Sequence, residues 1–393
     1  MSLPARPLNL LVVTNDLLVG GVQRNVVRYF RHFDRERFRL HLATVCEAGP
    51  LEAEIRATGA RYEPLRAIAG IGPLKTITPQ GVLALARRMR EWKIDVVQTR
   101  LFLGNTIGRA AALLAKVPVI VAAEHSTYFG KTAVQVSIDR WLAKHTNRIV
   151  AVSEVVANFT AHQEKLERKK FTVIHNGIDL ERFDGNLDGA AAKLEFGIPD
   201  GAFVLGSVSR LIEEKAFDRF VALLPAIRAR VKSVVFLLVG DGPGRGAIES
   251  AAARAGVADA IRFTGERDDV PLLLSAMDLF VLPSRREGLP TAVLEALAAG
   301  IPVLTHDLPQ FREIITEHRD GAVVDFGDER RAVEVIVALA GDPERRAALA
   351  RAGRVRAGDF SVGKMVDAYA ALYLNLWESK QNQRRSLASD RSE

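Results

Sequence analysis

Residues 278–306 read DLFVLPSRREGLPTAVLEALAAGIPVLTH. The runs DLFVLPS (278–284) and IPVLTH (301–306) have the length and apolar content of buried strands. Between them, Pro290 stands where a helix can begin without its missing N–H, and an apolar helical stretch follows. Strand, helix and strand in such close succession predict two parallel strands joined by a covering helix.

The rhythm continues outward in both directions. FVLGSVS (203–209), SVVFLLVG (233–240) and AIRFTG (260–265) complete the second half as a doubly wound domain. The first half repeats it with LNLLVVT (8–14), FRLHLATV (38–45), DVVQ (95–98), VPVIVAA (117–123) and RIVAVS (148–153), separated by helical patterns such as 22–32, 78–91 and 104–115. The fold class is α/β, with two doubly wound Rossmann-like parallel-sheet domains. The Gly-, Asp- and Ala-rich stretch near 186–200 reads as the linker between a domain over 1–185 and another over 201–358. Helical patterns at 328–339 and 343–357 close the second domain, a further one follows at 359–380, and the polar residues 381–393 read as a disordered tail.

Bulk properties agree. A chain of 393 residues exceeds what one hydrophobic core organises, and 48% hydrophobic with 7% aromatic residues describes a well-buried α/β protein. The single cysteine, Cys46, cannot form an internal disulfide and sits in an apolar run as a small core residue, which fits a reducing cytosol. The N-terminal residues lack the pattern of an export signal, and no apolar run approaches the length of a membrane span. The formal charge of +7 favours acidic partners.

Ligands of open α/β sheets bind outside the carboxyl ends of the strands, so the loops there are the places to search. Gly20 and Gly21 precede a helix, where backbone can approach a phosphate or sugar ring, although an ordinary helix entry uses the same residues. His125, beside Glu124, ends a strand and can hold a hydroxyl or carbonyl; a lone histidine is more often a structural hydrogen-bonding group. Arg210 and Lys215 bracket a helix entry in a way that suits a diphosphate, unless Glu213 and Glu214 simply pair with them. Glu287 closes the loop before Pro290, and Glu295 lies within an apolar helix, where a carboxylate wants a specific partner such as ribose hydroxyls. GDGPGRG (240–246) does not match the dinucleotide spacing in any frame, which argues against a Rossmann oxidoreductase. No Asp-x-Asp pair and no Cys/His cluster at metal spacing occurs, so no essential metal is expected.

Taken together, these segments resemble the retaining glycosyltransferases of family 4, which have the GT-B architecture of two such domains facing across a cleft. The resemblance rests on Glu287 and Glu295 with seven residues between them, the AxxxGxPV pattern from Ala296 to Val303, Gly20-Gly21, His125, AVSE (151–154), NGID (176–179), Arg210 with Lys215, and GDGP (240–243). It implies a metal-free transfer from a UDP- or GDP-linked sugar with retention of configuration, without a further cofactor. Arg210 and Lys215 would hold the diphosphate, Glu295 the ribose and Glu287 the sugar hydroxyls. Gly240, Phe263, Val270, Gly288, Leu289, Pro290 and Thr291 would complete the donor site, and His125 with Gly20-Gly21 would close over the sugar. The family's C-terminal helix returns across the cleft, which would account for 359–380. Two departures stand out: Ala216 where the family often has Gly, and HDLPQFREII (306–315) without the common Gly-Gly turn.

The resemblance also implies a glycan or lipid-linked acceptor in bacterial polysaccharide or lipopolysaccharide synthesis, selected by loops such as 66–79 and 126–137. The basic clusters Arg28-Arg31-Arg35-Arg37-Arg39 and Arg87-Arg88-Arg90-Lys93 suit the inner face of a membrane, giving a cytoplasmic, peripheral protein, though solvated helix faces read the same way. No aromatic-basic platform for nucleic acid is present. The competing readings are a nucleotide-sugar epimerase of the same architecture and an inactive nucleotide-sugar-binding subunit.

Overall fold

The computed structural model describes residues 6–46, 48–65, 68–69, 76–127, 130–185 and 188–389. They form two compact units, Met1–Gly177 with Val362–Glu393, and Ile178–Ser361.

The first unit holds β1 (Leu8–Thr14), β2 (Phe38–Thr44), β3 (Arg61–Pro64), a short antiparallel pair β4 (Ile68–Ala69) and β5 (Thr76–Ile77), then β6 (Val96–Arg100), β7 (Val119–Glu124), β8 (Arg148–Ala151) and β9 (Phe171–Val173). Seven of these make one sheet in the order β3-β2-β1-β6-β7-β8-β9, every pair parallel. β1 is buried along its whole length, and its side chains divide by alternation. Leu8, Leu10 and Val12 pack with Tyr29 and Phe30 of the helix Gly21–His32 and with Tyr369 and Tyr373 of the helix Val362–Ser389. Leu11 and Val13 face Leu85, Met89 and Ile107 on the opposite side.

The second unit holds β10 (Phe203–Val208), β11 (Val234–Val239), β12 (Ile261–Gly265), β13 (Leu279–Leu282), β14 (Val303–His306) and β15 (Ala322–Val324). Their order is β12-β11-β10-β13-β14-β15, again all parallel. Strand order reverses between β1 and β6 in one sheet and between β10 and β13 in the other. These are the points where the outgoing loops diverge and leave a crevice.

The division of the chain differs from the sequence reading. The boundary expected at 186–200 falls at Gly177–Ile178, because Gly189–Glu195 is a helix that packs on the helix Val270–Ser275 of the second unit. A Cβ at Gly189 would stand 2.3 Å from the Ser275 carbonyl oxygen, which shows how close that packing is. The chain leaves and re-enters the first unit side by side, with Ile178 N–H donating to the Phe360 carbonyl at 2.9 Å. The last helix begins at Val362 rather than 359 and continues to Ser389, so most of the expected disordered tail is helical; QNQRRSLAS contains good helix formers and neither Gly nor Pro. Residues 390–393 and most of 66–79 lie outside the described residues.

Candidate functional site

In the second unit, the loop after β10 and the loop after β13 meet at the strand-order reversal. Lys215 lies in a single 3-10 turn, Glu213–Lys215, and its Nζ stands 2.6 Å from Glu287 Oε1. Only 17% and 9% of these side chains are exposed. The alternative in which Glu213 and Glu214 pair the cations does not occur among the described residues. Glu214 uses its backbone carbonyl to accept from Arg285 N–H at 2.9 Å, which ties the two loops together. Arg210 is exposed, and its guanidinium makes no hydrogen bond or ion pair among the described residues. Ala216 sits in the left-handed region at φ 55°, ψ 30°, which is the physical reason a glycine suits that position.

Gly288, Leu289 and Pro290 are buried, Pro290 caps the helix rather than opening it, and Thr291 is its first residue. Glu295 is buried on that helix, among Val293, Leu294 and Leu297. Gln310, on the short helix Pro309–Ile314 within the segment that lacks the Gly-Gly turn, is also buried and donates its side-chain amide to the Glu287 carbonyl at 3.0 Å. Sequence reasoning passed over this residue, which holds the Glu287 loop from the side of β14.

The glycines of GDGP work from behind the site. Gly240 has φ +125°, and a Cβ there would stand 2.1 Å from the Ser209 carbonyl oxygen; one at Gly242 would meet the Leu211 carbonyl at 2.3 Å. Leu211 N–H donates to the Asp241 carbonyl and Gly244 N–H to the Leu211 carbonyl, at 2.9 and 2.8 Å. The loop after β11 therefore clasps the backbone that presents Arg210. Phe263 lies on β12 with the Arg245 guanidinium 4.8 Å above its ring, and Val270 opens the following helix.

In the first unit, His125 follows β7 directly and lines a cavity of about 260 Å³ with Asn15, Leu101, Asn105, Glu124, Ser126, Lys131 and Asp139. These residues come from the carboxyl ends of β1, β6 and β7, the helix after β6, and the loop and helix after β7. Both ring nitrogens of His125 are buried without a partner among the described residues. Burial, helped by the charge of Arg100, pushes its pKa down to about 3, so the ring is neutral at physiological pH. Leu101 adopts φ 62°, ψ 162°, a region that costs a non-glycine residue about 1–3 kcal/mol and persists where surroundings impose it, often at functional sites.

Below the cavity lies a buried charge cluster. Asp139 receives Arg109 Nη2 at 2.5 Å and Lys131 Nζ at 2.8 Å, and Lys131 also reaches Glu164 at 2.6 Å. Asn105 donates to Glu124 at 3.0 Å. Burial raises Glu124 to about 7, opposed by the charges of Lys131 and Arg109 and aided by those of Glu164 and Asp139. Burial opposes the Lys131 charge, yet Glu124, Glu164 and Asp139 hold it protonated. Arg100 is fully buried and lacks a carboxylate among the described residues: Asn25 and Gln98 accept from it at 3.2 Å each, and the rings of Tyr29 and Tyr369 flank it at 5.0 and 5.6 Å. Nothing in the local pattern DVVQTR marks this arginine as different from a surface one.

Other sequence signals resolve as structure. Ser153 of AVSE caps its helix, accepting from Val156 N–H at 3.2 Å. Gly20 is extended at φ −175°, which any residue adopts, though a Cβ there would crowd the Gln23 side chain at 2.8 Å. The two basic clusters are largely engaged: Arg31 with Glu54, Arg88 with Glu63 and Glu91, Arg87 with Glu91, Arg35 with the carbonyls of Phe30 and Thr58, and Arg90 with that of Leu114.

Comparison with known proteins gives a consistent picture. Residues 19–182 match the family described as Glycosyltransferase Family 4, and residues 191–356 the one described as Glycosyl transferases group 1. The chain is 26% identical to the UDP-Gal:alpha-D-GlcNAc-diphosphoundecaprenol alpha-1,3-galactosyltransferase of Escherichia coli, over 92% of this chain and 96% of the relative. It is 29% identical to the GDP-mannose-dependent alpha-mannosyltransferase of Mycobacterium tuberculosis, over 85% and 88%. Among solved structures, HepE of Anabaena in complex with UDP superposes with a TM-score of 0.82 at 19% identity, over 94% of this chain and all of that one.

Proposed function

The chain belongs to the family 4 glycosyltransferases of GT-B fold, and on that premise we propose that it is a retaining, metal-independent enzyme. It moves a hexose from a UDP- or GDP-linked donor to a lipid-linked or glycan acceptor in cell-surface polysaccharide or lipopolysaccharide synthesis. The observation that carries this reading is the Lys215–Glu287 pair at the strand-order reversal of the second sheet, with the unpaired Arg210 on the adjoining loop. A diphosphate gains negative charge as its bond to the sugar breaks, and cations already in place stabilise that change without reorganising. Here Lys215 and Arg210 supply that charge. Glu287 orients Lys215 and accepts from sugar hydroxyls, and Glu295 accepts from the ribose.

In the retaining course the bond from C1 to the diphosphate oxygen breaks, and the acceptor oxygen bonds C1 on the same face. The acceptor's proton passes to the departing phosphate oxygen, so no protein base is consumed. His125, held neutral by burial, contributes a hydrogen bond to a sugar hydroxyl and not a proton. The relatives' use of UDP-galactose and GDP-mannose supports a nucleotide-sugar donor while leaving the base open.

The test is a thermal-shift panel with UDP, GDP, ADP and dTDP sugars, with and without EDTA, followed by NMR of the product's anomeric centre. Stabilisation by one nucleotide class, insensitive to EDTA, and a product with the donor's configuration are expected. Inversion, or activity lost to EDTA and restored by a divalent metal, would overturn the corresponding part. Epimerised free sugar formed without acceptor would replace transfer altogether.

A further inference from the structure

The helix Ala133–Lys144 is inside out. Its one acidic residue, Asp139, is buried and bound by Arg109 and Lys131, whereas Val134, Ile138 and Trp141 are 68%, 41% and 54% exposed. Their spacing of four and three residues puts them in one stripe. With Ala133 and Ser137 they line a shallow apolar groove of about 430 Å³. The stripe is not needed to hold the helix, which is fixed by a Thr132–Gln135 capping box, the buried Asp139 ion pairs, and Leu142 and Ala143 on its inner side.

The stripe has cationic neighbours. Arg140 and Lys144 are exposed on the same helix and have no carboxylate partner among the described residues. The first unit as a whole carries 31 Lys and Arg against 18 Asp and Glu, whereas the second carries 23 against 29. A tryptophan with aliphatic neighbours, flanked by free cations on a strongly positive body, has the chemistry of an element lying in the headgroup layer of an anionic bilayer. We propose that this helix docks the first unit on an anionic membrane, with Val134, Ile138 and Trp141 entering the interface and Arg140 and Lys144 at the headgroups. This surface differs from the arginine clusters of 28–39 and 87–93, whose cations are largely engaged within the protein. The inner side of the same helix contributes Asp139 to the His125 cavity, so docking its outer side holds that cavity one helix diameter, roughly 10 Å, from the lipid surface, within reach of a lipid-linked acceptor. Docking itself needs no sugar transfer and can be measured without it.

The experiment uses the full chain with vesicles of phosphatidylcholine alone or with 30% phosphatidylglycerol. The protein has three tryptophans; Trp92 stacks on His41 and Trp377 packs against the core, so Trp141 is the reporter at the surface. Co-sedimentation with the anionic vesicles only, a blue shift of emission, and quenching by brominated lipid are expected, with binding weakened by salt. The double variant Val134→Ser/Ile138→Ser, at exposed positions that leave folding intact by circular dichroism, should weaken partition about tenfold or more, and Arg140→Gln/Lys144→Gln should flatten the salt dependence. Absence of partition, or partition that the double variant leaves unchanged, would overturn the proposal. So would a dimer in sedimentation equilibrium that the double variant dissociates, since a second copy would then cover the stripe.

Discussion

Replacing Lys215 with Ala separates two roles that the geometry gives one side chain. The first is structural. Lys215 Nζ stands 2.6 Å from a Glu287 side chain that is 9% exposed, so its loss leaves a largely desolvated carboxylate without a cation. Removing one member of a fully buried pair costs about 3–5 kcal/mol; water reaches this lysine, which is 17% exposed, so a cost of about 1–3 kcal/mol is expected. The second role is binding. One charge-assisted hydrogen bond to a diphosphate contributes about 1.5–3 kcal/mol, or roughly 10- to 150-fold in Kd. Urea unfolding measures the first quantity, and calorimetric titration with UDP and GDP the second. The double variant Lys215→Ala/Glu287→Gln should recover most of the stability, because no unpaired charge remains, but none of the affinity. If the variants bind nucleoside diphosphate within twofold of the wild type while the single one is destabilised, Lys215 is only a strut for Glu287 and the assignment of the diphosphate site is wrong.

Three further outcomes follow from the geometry. Gly240→Ala forces a Cβ to within 2.1 Å of the Ser209 carbonyl at φ +125°, so it should cost about 2–4 kcal/mol and weaken nucleotide binding by displacing the Arg210 loop; an unchanged melting temperature would show that the clasp yields freely. Asp139→Asn strips Arg109 of its carboxylate, at 3% and 2% exposure, and should cost about 3–5 kcal/mol in urea unfolding; a loss below 1 kcal/mol would mean that Glu124 and Glu164 take over the cation. His41, stacked on Trp92 with both ring nitrogens unpartnered among the described residues, is pushed down to about 4 by burial and by Arg61 and Arg39. The unfolded chain therefore takes up its proton first, so stability from this group is lost as pH falls from 6.5 towards 4, on the order of 1–2 kcal/mol by pH 5. His41→Phe should remove that part of the pH 7 to pH 5 difference in urea midpoint, and an identical difference in the variant would exclude His41 as its source.

How much the sequence told depended on the range of the interactions involved. The strands with long apolar runs, β1, β2, β7, β10 and β11, are visible because burial on both faces fills them mainly with apolar residues. β3, β9 and β15 have three or four residues each, all of them at sheet edges, and RYEP, FTV and AVV carry too little pattern to stand out. The loops after β10 and β13 announced themselves by charge next to strand ends, and their meeting follows from strand order. The domain boundary was misplaced because Gly- and Asp-rich composition was read as linker, when Asp188 caps a helix and Gly189 permits its close packing on Ser275. Arg100, Gln310 and the Arg109–Asp139–Lys131–Glu164 cluster were not legible at all. Their importance lies in burial and in hydrogen-bond partners up to 75 residues apart, as from Arg100 to Asn25, which spacing along the chain does not encode.

The positions of the unsatisfied polar atoms connect the two sheets. A folded protein leaves few buried donors or acceptors without partners, because each costs about 1–3 kcal/mol. Here Thr14 Oγ1, Gln98 Nε2, Arg100 Nε and both His125 nitrogens have none among the described residues, and all but Gln98, in the middle of β6, belong to the carboxyl-terminal ends of β1, β6 and β7 or the residues just beyond. In the second unit, Ser207, Ser284 and Thr305 hydroxyls are in the same condition at the corresponding ends of β10, β13 and β14. In each unit these strands flank the reversal of strand order or lie next to it. Packing alone would not select the same end of the same strands twice, since the opposite ends of those strands are satisfied by ordinary means: Asn9 N–H donates to Asp95 and Val204 N–H to Asp278, both at 2.8 Å. Hydrogen-bonding capacity is left open at these strand ends in both units, although His41, Arg37 and Glu378 carry unpartnered buried atoms away from them. The recurrence at the same ends of corresponding strands does not depend on the identity of any one loop.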